Sequence, residues 1–237
     1  MKTKKIAFVI LSTLLFSCGK TNTKIDISYD GETQKGILLI DGKTKVKLPA
    51  DSTSISISIE SGDHTFKLNK DKAFSCAIDS EGGILNLNKE RFVSIPEIYS
   101  DESMGKLMNS LNNSKPDYLI VDSLVYVYKK DSLKSVSDAE IKRVLDQKYT
   151  TMKLFEGHPF IKKDWDYGLS EDLPEQIEIR GTASMETRTK VMPLYLFRFM
   201  AMLTPQYFEI RNIKDIQSGK TDKTADKAKE KQQMEME

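Results

Sequence analysis

The sequence predicts an α+β fold in which an N-terminal antiparallel β-sandwich-like module is followed by a mixed α+β domain. Three observations predict it. Residues 54–60 alternate between polar residues and isoleucine, a pattern that favours a strand with one buried and one wet face. Short apolar stretches separated by turn residues recur between 25 and 98, as in antiparallel sheets. A capping-box pattern at Ser137–Glu140 opens a helical segment further along the chain.

The first module is predicted to span residues 25–99 and to be built from hairpins. Asp41-Gly42 follows the apolar run 37–40, and this dipeptide is a strong hairpin signal. Residues 73–78 and 84–87 are expected to form a further hairpin. Short strands with closely spaced turns are typical of an antiparallel sandwich or a small barrel.

Residues 36–68 carry a further pattern. The run 36–42 ends in Asp-Gly, Leu48-Pro49 marks a turn, and Gly62-Asp63-His64 opens a strand that ends at Leu68. These features resemble the PEGA-like and related small sandwich modules of bacterial surface proteins. Such modules are mostly structural or binding units, so the resemblance implies an interaction role and no catalysis.

The second domain, residues 100–212, is predicted to mix helices and strands. Its expected elements are a helix over 101–113, one strand or a tight hairpin over 118–128, a helix after Ser137, a short strand over 176–180, and a helix over 190–203 with Pro193 in its first turn. Residues 213–237 are mostly charged and polar, which predicts a disordered tail or a frayed helix, with a partner-binding arm as the alternative.

The amino terminus predicts a cleaved signal over residues 1–17 and a polar tether over 18–24. Three lysines precede the apolar run 6–16, which is too short for the roughly 20 residues of a spanning helix. Leu15-Phe16-Ser17-Cys18 resembles the lipobox of bacterial lipoproteins. The resemblance implies lipid on Cys18, an extracytoplasmic location and, by family analogy, the outer membrane. An ordinary signal with a chance cysteine and a buried core segment are the alternatives.

Composition limits the partners that the chain is expected to bind. The formal net charge is +1, and removal of the signal with its three lysines turns it to −2, so a nucleic-acid role is not expected. The chain has two cysteines. If Cys18 carries lipid, Cys76 has no partner for a disulfide, and a small buried role is expected for it.

The loop 156–175 holds the most chemically mixed residues. His158 is followed by Asp164, Trp165, Asp166 and Tyr167, a set that could line a ligand site, act as an acid–base pair or hold a metal. His64 is expected to be an edge or turn residue. Trp165 and Tyr167 are interpreted first as packing residues and second as a platform for stacking a sugar.

A metal or cofactor is not predicted. Four acidic residues have the spacing of ligands in a 12-residue calcium-binding loop: Asp164, Asp166, Asp172 and Glu175. However, Leu169 stands where such a loop requires glycine, and Pro174 interrupts the loop. No second histidine or cysteine completes a zinc site, and phosphate-binding motifs are absent from the sequence.

The apolar, methionine-containing helix 193–203 has two interpretations: a buried core helix, or an exposed face that docks a partner or lies on the membrane. The leading functional hypothesis is a lipid-anchored cell-envelope protein with a structural or protein-interaction role and an envelope protein as partner. The alternative is an extracytoplasmic glycan- or ligand-binding protein, or a hydrolase, that uses the loop 156–175.

Overall fold

The computed structural model describes residues 21–30, 36–100, 116–129, 135–148, 150–179 and 185–219. Within these ranges the fold is mostly β, with several antiparallel sheets and a few helices. The strands are β1 (Asn22–Ser28), β2 (Ile37–Ile40), β3 (Thr44–Lys47), β4 (Ser54–Glu60), β5 (Gly62–Leu68), β6 (Phe74–Ile78), β7 (Gly83–Asn86), β8 (Phe92–Ser100), β9 (Asp117–Val121), β10 (Leu124–Tyr128), β11 (Lys153–Phe155), β12 (Phe160–Lys162), β13 (Met185–Pro193) and β14 (Phe208–Asn212). The helices are α1 (Asp138–Gln147), α2 (Leu194–Leu203) and α3 (Ile213–Ser218).

Several predictions fall on residues outside these ranges. They are the signal over 1–17, lipidation at Cys18, the helix over 101–113 and most of the charged tail. Among the described residues, no helix is both long enough and apolar enough to cross a membrane.

The first two sheets share one hydrophobic core. Their strand orders are β12-β7-β1-β4 and β3-β2-β5-β6. Alternate residues of β1, Ile25 and Ile27, are buried in this core together with Leu38 and Phe66 from the second sheet. Burial of such side chains is the main stabilising term, at about 1.5–3 kcal/mol for each one.

The Asp41-Gly42 hairpin is confirmed, and it fixes His64. Both turn residues have positive φ, 51° and 68°, as this tight connection requires. The Asp41 carboxylate accepts hydrogen bonds from Nδ1 of His64 at 2.7 Å and from the backbone N–H of Thr65 at 2.8 Å. His64 is 9% exposed on β5, an internal strand. The expectation of an edge or turn position was therefore wrong, because the turn carboxylate reaches across and satisfies the buried ring.

The second half places helices on both faces of the sheet β14-β10-β9. One face, with Leu119 and Tyr126, packs on α2 and on β8. The other face, with Val125 and Val127, packs on α1 and α3. The hairpin alternative for 118–128 is confirmed, because Asp122 and Ser123 form a turn with φ of 48° and 62°.

The helix after Ser137 is confirmed. Its first turn is capped by Ser137, whose Oγ accepts a hydrogen bond from the N–H of Glu140 at 3.3 Å. The Glu140 side chain makes a separate contact, because its carboxylate accepts a hydrogen bond from the hydroxyl of Tyr118 at 3.0 Å. The capping residues thus also tie α1 to the sheet.

Other predictions were wrong in detail. Residues 176–179 form no strand, since no described strand pairs with them. The helix predicted over 190–203 begins at Leu194, because the residues before it extend β13 in its ladder with β8. Pro193 is therefore the residue before the first turn. The segments 73–78 and 84–87 do not pair with each other.

The strand β7 explains the missing hairpin. It is buried along its whole length and lies between β1, to which it is parallel, and β12. Such a central strand needs a partner on each edge. Neither partner of β7 is β6, the strand that precedes it in the sequence. The pairing of β7 with β12, and that of β8 with β11 and β13, cross the predicted boundary between 25–99 and 100–212.

Both ends of the described fold extend beyond the predicted limits. The first strand begins at Asn22, inside the segment 18–24 that was expected to be a tether. The helix α3 occupies the start of the predicted tail 213–237. It is ordered because Ile216, which is 3% exposed, packs in the core beside α1.

Candidate functional site

The structure does not bring His158 to the aspartates of the loop 156–175. His158 is exposed in the turn between β11 and β12, whereas Asp164 to Tyr167 follow the other end of β12. The surface depression that Asp164, Trp165 and Asp166 line does not include His158. Because the ring and the carboxylates are at opposite ends of β12, they do not form an acid–base pair.

The two aspartates of this loop have separate partners. Asp164 forms an exposed ion pair with Lys153. Asp166 accepts hydrogen bonds from the backbone N–H of Thr189 at 2.7 Å and from the Arg188 guanidinium at 3.1 Å. Burial raises the pKa of the Asp166 carboxyl, but these hydrogen bonds outweigh it and the net pKa is lowered. Both carboxylates therefore hold the loop to its neighbours.

Trp165 and Tyr167 pack the same loop against the fold. The Trp165 side chain is 7% exposed and makes an edge contact with Phe155, with ring centroids 5.3 Å apart. The backbone of Tyr167 exchanges hydrogen bonds with β13, to Thr189 at 3.0 Å and from Val191 at 3.1 Å. A ring that is almost fully covered offers no open face for stacking a sugar.

A second group of polar residues, which sequence reasoning missed, docks the loop on the first sheet. Asp26, on the outer face of β1, accepts hydrogen bonds from the Ser56 hydroxyl at 2.5 Å and from the N–H of Leu169 at 2.7 Å. Asp26 is 7% exposed because the loop covers it. The alternation around Asp26 marks an outward-facing residue, but no signal in the sequence identifies the segment that covers it.

Glu171 completes this docking cluster. Its carboxylate accepts hydrogen bonds from the N–H of Gly168 at 2.6 Å and from Lys24 Nζ at 2.7 Å. The first of these, with the support of the second, lowers the pKa of Glu171. The same contact with Glu171 raises the pKa of Lys24. An added Cβ at residue 168 would overlap Oδ2 of Asp26, so the close approach requires glycine there.

Two shallow depressions flank the docked loop. Lys24, Asp26 and Glu171 line a depression of about 80 Å³. Both depressions share Glu81, Lys163 and Trp165. Within the described ranges, no group of three or more His, Cys, Asp or Glu side chains is placed to hold a metal ion. Several charged groups that line these openings already have partners: Lys24 binds Glu171, Asp164 binds Lys153, and Asp166 binds Arg188.

Cys76 is a half-buried free thiol on β6. Burial, with a smaller contribution from the charge of Asp63, raises the pKa of Cys76 to about 11. A thiol with such a raised pKa is a poor nucleophile at neutral pH. This agrees with the packing role expected for Cys76.

The helix α2 has a buried face and an exposed apolar face. Leu194, Phe197 and Ala201 belong to the core of the second half. The opposite face, termed here the α2 apolar face, consists of Tyr195, Leu196, Phe199, Met202 and Leu203, which are 44–63% exposed. The two interpretations of 193–203 therefore each describe one side of the same helix. Large apolar side chains exposed side by side mark an interaction surface.

The carboxylate of Asp122, in the turn between β9 and β10, holds α2 in place through Arg198. Arg198 donates a hydrogen bond to Oδ2 of Asp122 at 2.5 Å, and Arg91 contacts both oxygens of that carboxylate at 2.9 and 2.6 Å. These hydrogen bonds, first from Arg91 and then from Arg198, hold the pKa of Asp122 well below its usual range. The only charged residue of α2 is thus paired with the β9–β10 turn.

A groove adjoins the start of the α2 apolar face. It has a volume of about 270 Å³ and runs between the end of β1, at Ser28 and Tyr29, and the beginning of α2, at Tyr195 and Leu196. Lys190 also lines it, although its ammonium donates a hydrogen bond to the carbonyl of Glu171 at 2.7 Å. The groove extends the apolar face onto the first sheet.

Comparison with known proteins gives no relative for this arrangement. Searches against protein-family models, curated protein sequences and solved structures found no match.

Proposed function

We propose that this chain is a lipoprotein of the bacterial cell envelope, anchored by lipid on Cys18, with a structural or protein-interaction role. The observation that carries the interaction role is the α2 apolar face, whose five large side chains are exposed together. An apolar surface of this kind is costly to leave in water, so a partner is expected to cover it. The anchor rests on the lipobox resemblance at 15–18.

The proposed architecture separates anchoring from recognition. A β-sandwich-like module, which includes the PEGA-like segment 36–68, stands next to the anchor. A mixed α+β domain carries the α2 apolar face. The outer membrane is the proposed location, and an envelope protein is the proposed partner.

The distance between Cys18 and α2 helps to decide whether a protein or the bilayer covers the α2 apolar face. Residues 18 to 21 reach about 10 Å when extended. Thr21 is bound to the fold, because its N–H donates a hydrogen bond to Ser61 Oγ at 3.3 Å. From there β1 runs for seven residues, about 20 Å, and Ser28 at its far end lines the groove beside Leu196. The start of α2 is thus at the end of β1 remote from the lipid, which favours a protein partner over the bilayer.

The alternative, a glycan or ligand binder or a hydrolase at the loop 156–175, has less support. His158 is separated from Asp164 and Asp166, and Trp165 is buried. The two carboxylates are bound to Lys153, Arg188 and Thr189, so the loop has a sufficient structural role.

The anchor is tested by Cys18→Ala in the full chain. Loss of the cysteine removes the acceptor for lipid, so we expect no incorporation of radiolabelled fatty acid and accumulation of a larger, uncleaved chain. The matched control is Cys76→Ala, which keeps Cys18 and is expected to be labelled like the parent. Equal labelling of the Cys18→Ala chain would refute the anchor.

The interaction role is tested by chemical crosslinking in intact cells, solubilisation of the membranes, and identification of what is bound to the lipidated chain. We expect a stoichiometric polypeptide partner that is lost with Phe199→Glu, because a charge at the centre of the α2 apolar face opposes burial. Lys67→Glu is the control, since Lys67 is exposed on β5. Two results together would favour the ligand binder or hydrolase at the loop 156–175. The Phe199→Glu chain would keep its partner, and the partner would be lost when His158, Asp164 and Asp166 are replaced by alanine.

A further inference from the structure

We propose that the partner of the α2 apolar face is a second copy of this chain, bound through an antiparallel contact of α2 with α2 around a twofold axis at Phe199. This inference rests on the proposed function, because it names the occupant of the same surface. The spacing, the charge and the area of the face carry it.

The spacing of the exposed residues is symmetric about Phe199. Met202 and Leu203 follow Phe199 at the same distances along the chain at which Leu196 and Tyr195 precede it. In a twofold contact, residue i of one copy meets residue j of the other and the reverse. An antiparallel pair of α2 helices would therefore place Phe199 against its own copy. Tyr195 of each copy would lie against Leu203 of the other.

The absence of charge on the α2 apolar face allows the same face of a second copy to approach it. The five exposed residues are all uncharged. Arg198 is held at the side by Asp122, so two identical faces meet without like charges opposite each other and without an unpaired buried charge. Interfaces between identical subunits are more apolar than those between transient partners, so an uncharged face suits a second copy of this chain.

The area of the face suits a weak dimer that anchoring strengthens. With about 200 Å² for each large side chain, the exposed fractions of 44–63% give roughly 500 Å² per copy. Full coverage of both faces would bury about 1,000 Å², the lower bound for a specific interface. Lipid anchors hold copies in one membrane and raise their effective concentration. We therefore expect the dimer in membranes and its dissociation after dilution in detergent.

The test is disulfide crosslinking of single cysteines in the lipidated full chain, in native membranes and on a Cys76→Ala background. Phe199→Cys, at the twofold axis, is expected to give a disulfide-linked dimer under mild oxidation. Tyr195→Cys and Leu203→Cys are each expected to remain monomeric when expressed alone. In the antiparallel arrangement the two copies of either position are about 12 Å apart along the helix axis, whereas a disulfide needs Cα atoms within about 7 Å. Expressed together, the two variants are expected to crosslink to each other. Lys67→Cys is the control for random collision.

The outcomes separate this inference from the proposed function. Absence of a Phe199→Cys dimer above the Lys67→Cys background overturns the second copy as occupant. Self-crosslinking of Tyr195→Cys and of Leu203→Cys would indicate a parallel contact between two copies and would overturn the antiparallel arrangement. A photocrosslinking amino acid at 199 then distinguishes the remaining cases. An adduct with another envelope protein overturns the dimer and supports the interaction role, whereas the absence of any protein adduct overturns both.

Discussion

The carboxylate of Asp26 is predicted to be the main side-chain attachment of the segment that follows β12 to the outer face of β1. Asp26→Ala removes the acceptor of two hydrogen bonds, from Ser56 and from Leu169. Hydrogen bonds to a charged group contribute about 1.5–3 kcal/mol each. Because the Ser56 hydroxyl can reorient, we expect a loss of about 3 kcal/mol in the free energy of unfolding. This corresponds to a decrease of more than about a hundredfold in the ratio of folded to unfolded chain.

Trp165 provides the assay, since it is the only tryptophan of the chain and its buried side chain belongs to this segment. Urea unfolding of the chain in mild detergent, followed by Trp165 emission, is expected to shift its midpoint down by about 1 M, for a slope near 3 kcal/mol per M. Asp71→Ala is the control, because Asp71 is an exposed carboxylate in the turn between β5 and β6. A midpoint for Asp26→Ala that equals that of Asp71→Ala would refute the docking role.

Three further predictions concern other parts of the fold. Because Arg91 and Arg198 lower the pKa of Asp122, this carboxylate stabilises the fold above its ordinary pKa of about 4, and the stabilisation is lost as the pH falls below that value. Melting temperatures should therefore be lower for Asp122→Asn at pH 7, and the difference should shrink from about pH 4 downward; a constant difference would contradict the ion pairs. Cys76, with a pKa of about 11, should react with a thiol reagent far more slowly in the folded chain than in urea at pH 7, and equal rates would show that it is not shielded. Ser137→Ala should cost about 1 kcal/mol by removing the cap of α1, measured as a lower melting temperature, whereas Ser135→Ala, outside the cap, should leave it unchanged.

Local chemistry explains what the sequence predicted correctly. The Asp41-Gly42 turn, the capping residue Ser137 and the alternation of 54–60 each determine structure through neighbours within a few residues. Such signals do not depend on what packs against them. The strands and helix at these positions therefore follow directly from the sequence.

Pairing between distant segments explains most of what was wrong. The strand β7 joins β1 and β12 rather than the preceding β6, and no residue of 84–87 indicates that choice. Residues 190–193 carry a helical pattern, yet the ladder with β8 holds them extended. In both cases hydrogen bonds to a remote strand outweigh the local preference.

The candidate site was only partly accessible to sequence reasoning. The composition of the loop identified Asp164, Asp166 and Trp165 as unusual, but it could not show that their partners are Lys153, Arg188 and Phe155. For α2, the apolar run was evident. Which of its residues are exposed depends on the position of the sheet below, because the run is apolar nearly all round.

The position of β12 has a consequence for the order in which the chain can fold during its synthesis. The first sheet includes β12, which is a short segment from the second half of the chain. During synthesis the N-terminal segment therefore has one edge of β7 unpaired until residues 160–162 have been added to the chain. An open strand edge invites pairing with other chains, so this chain should depend on a chaperone during folding more than a protein whose first sheet is built from neighbouring segments.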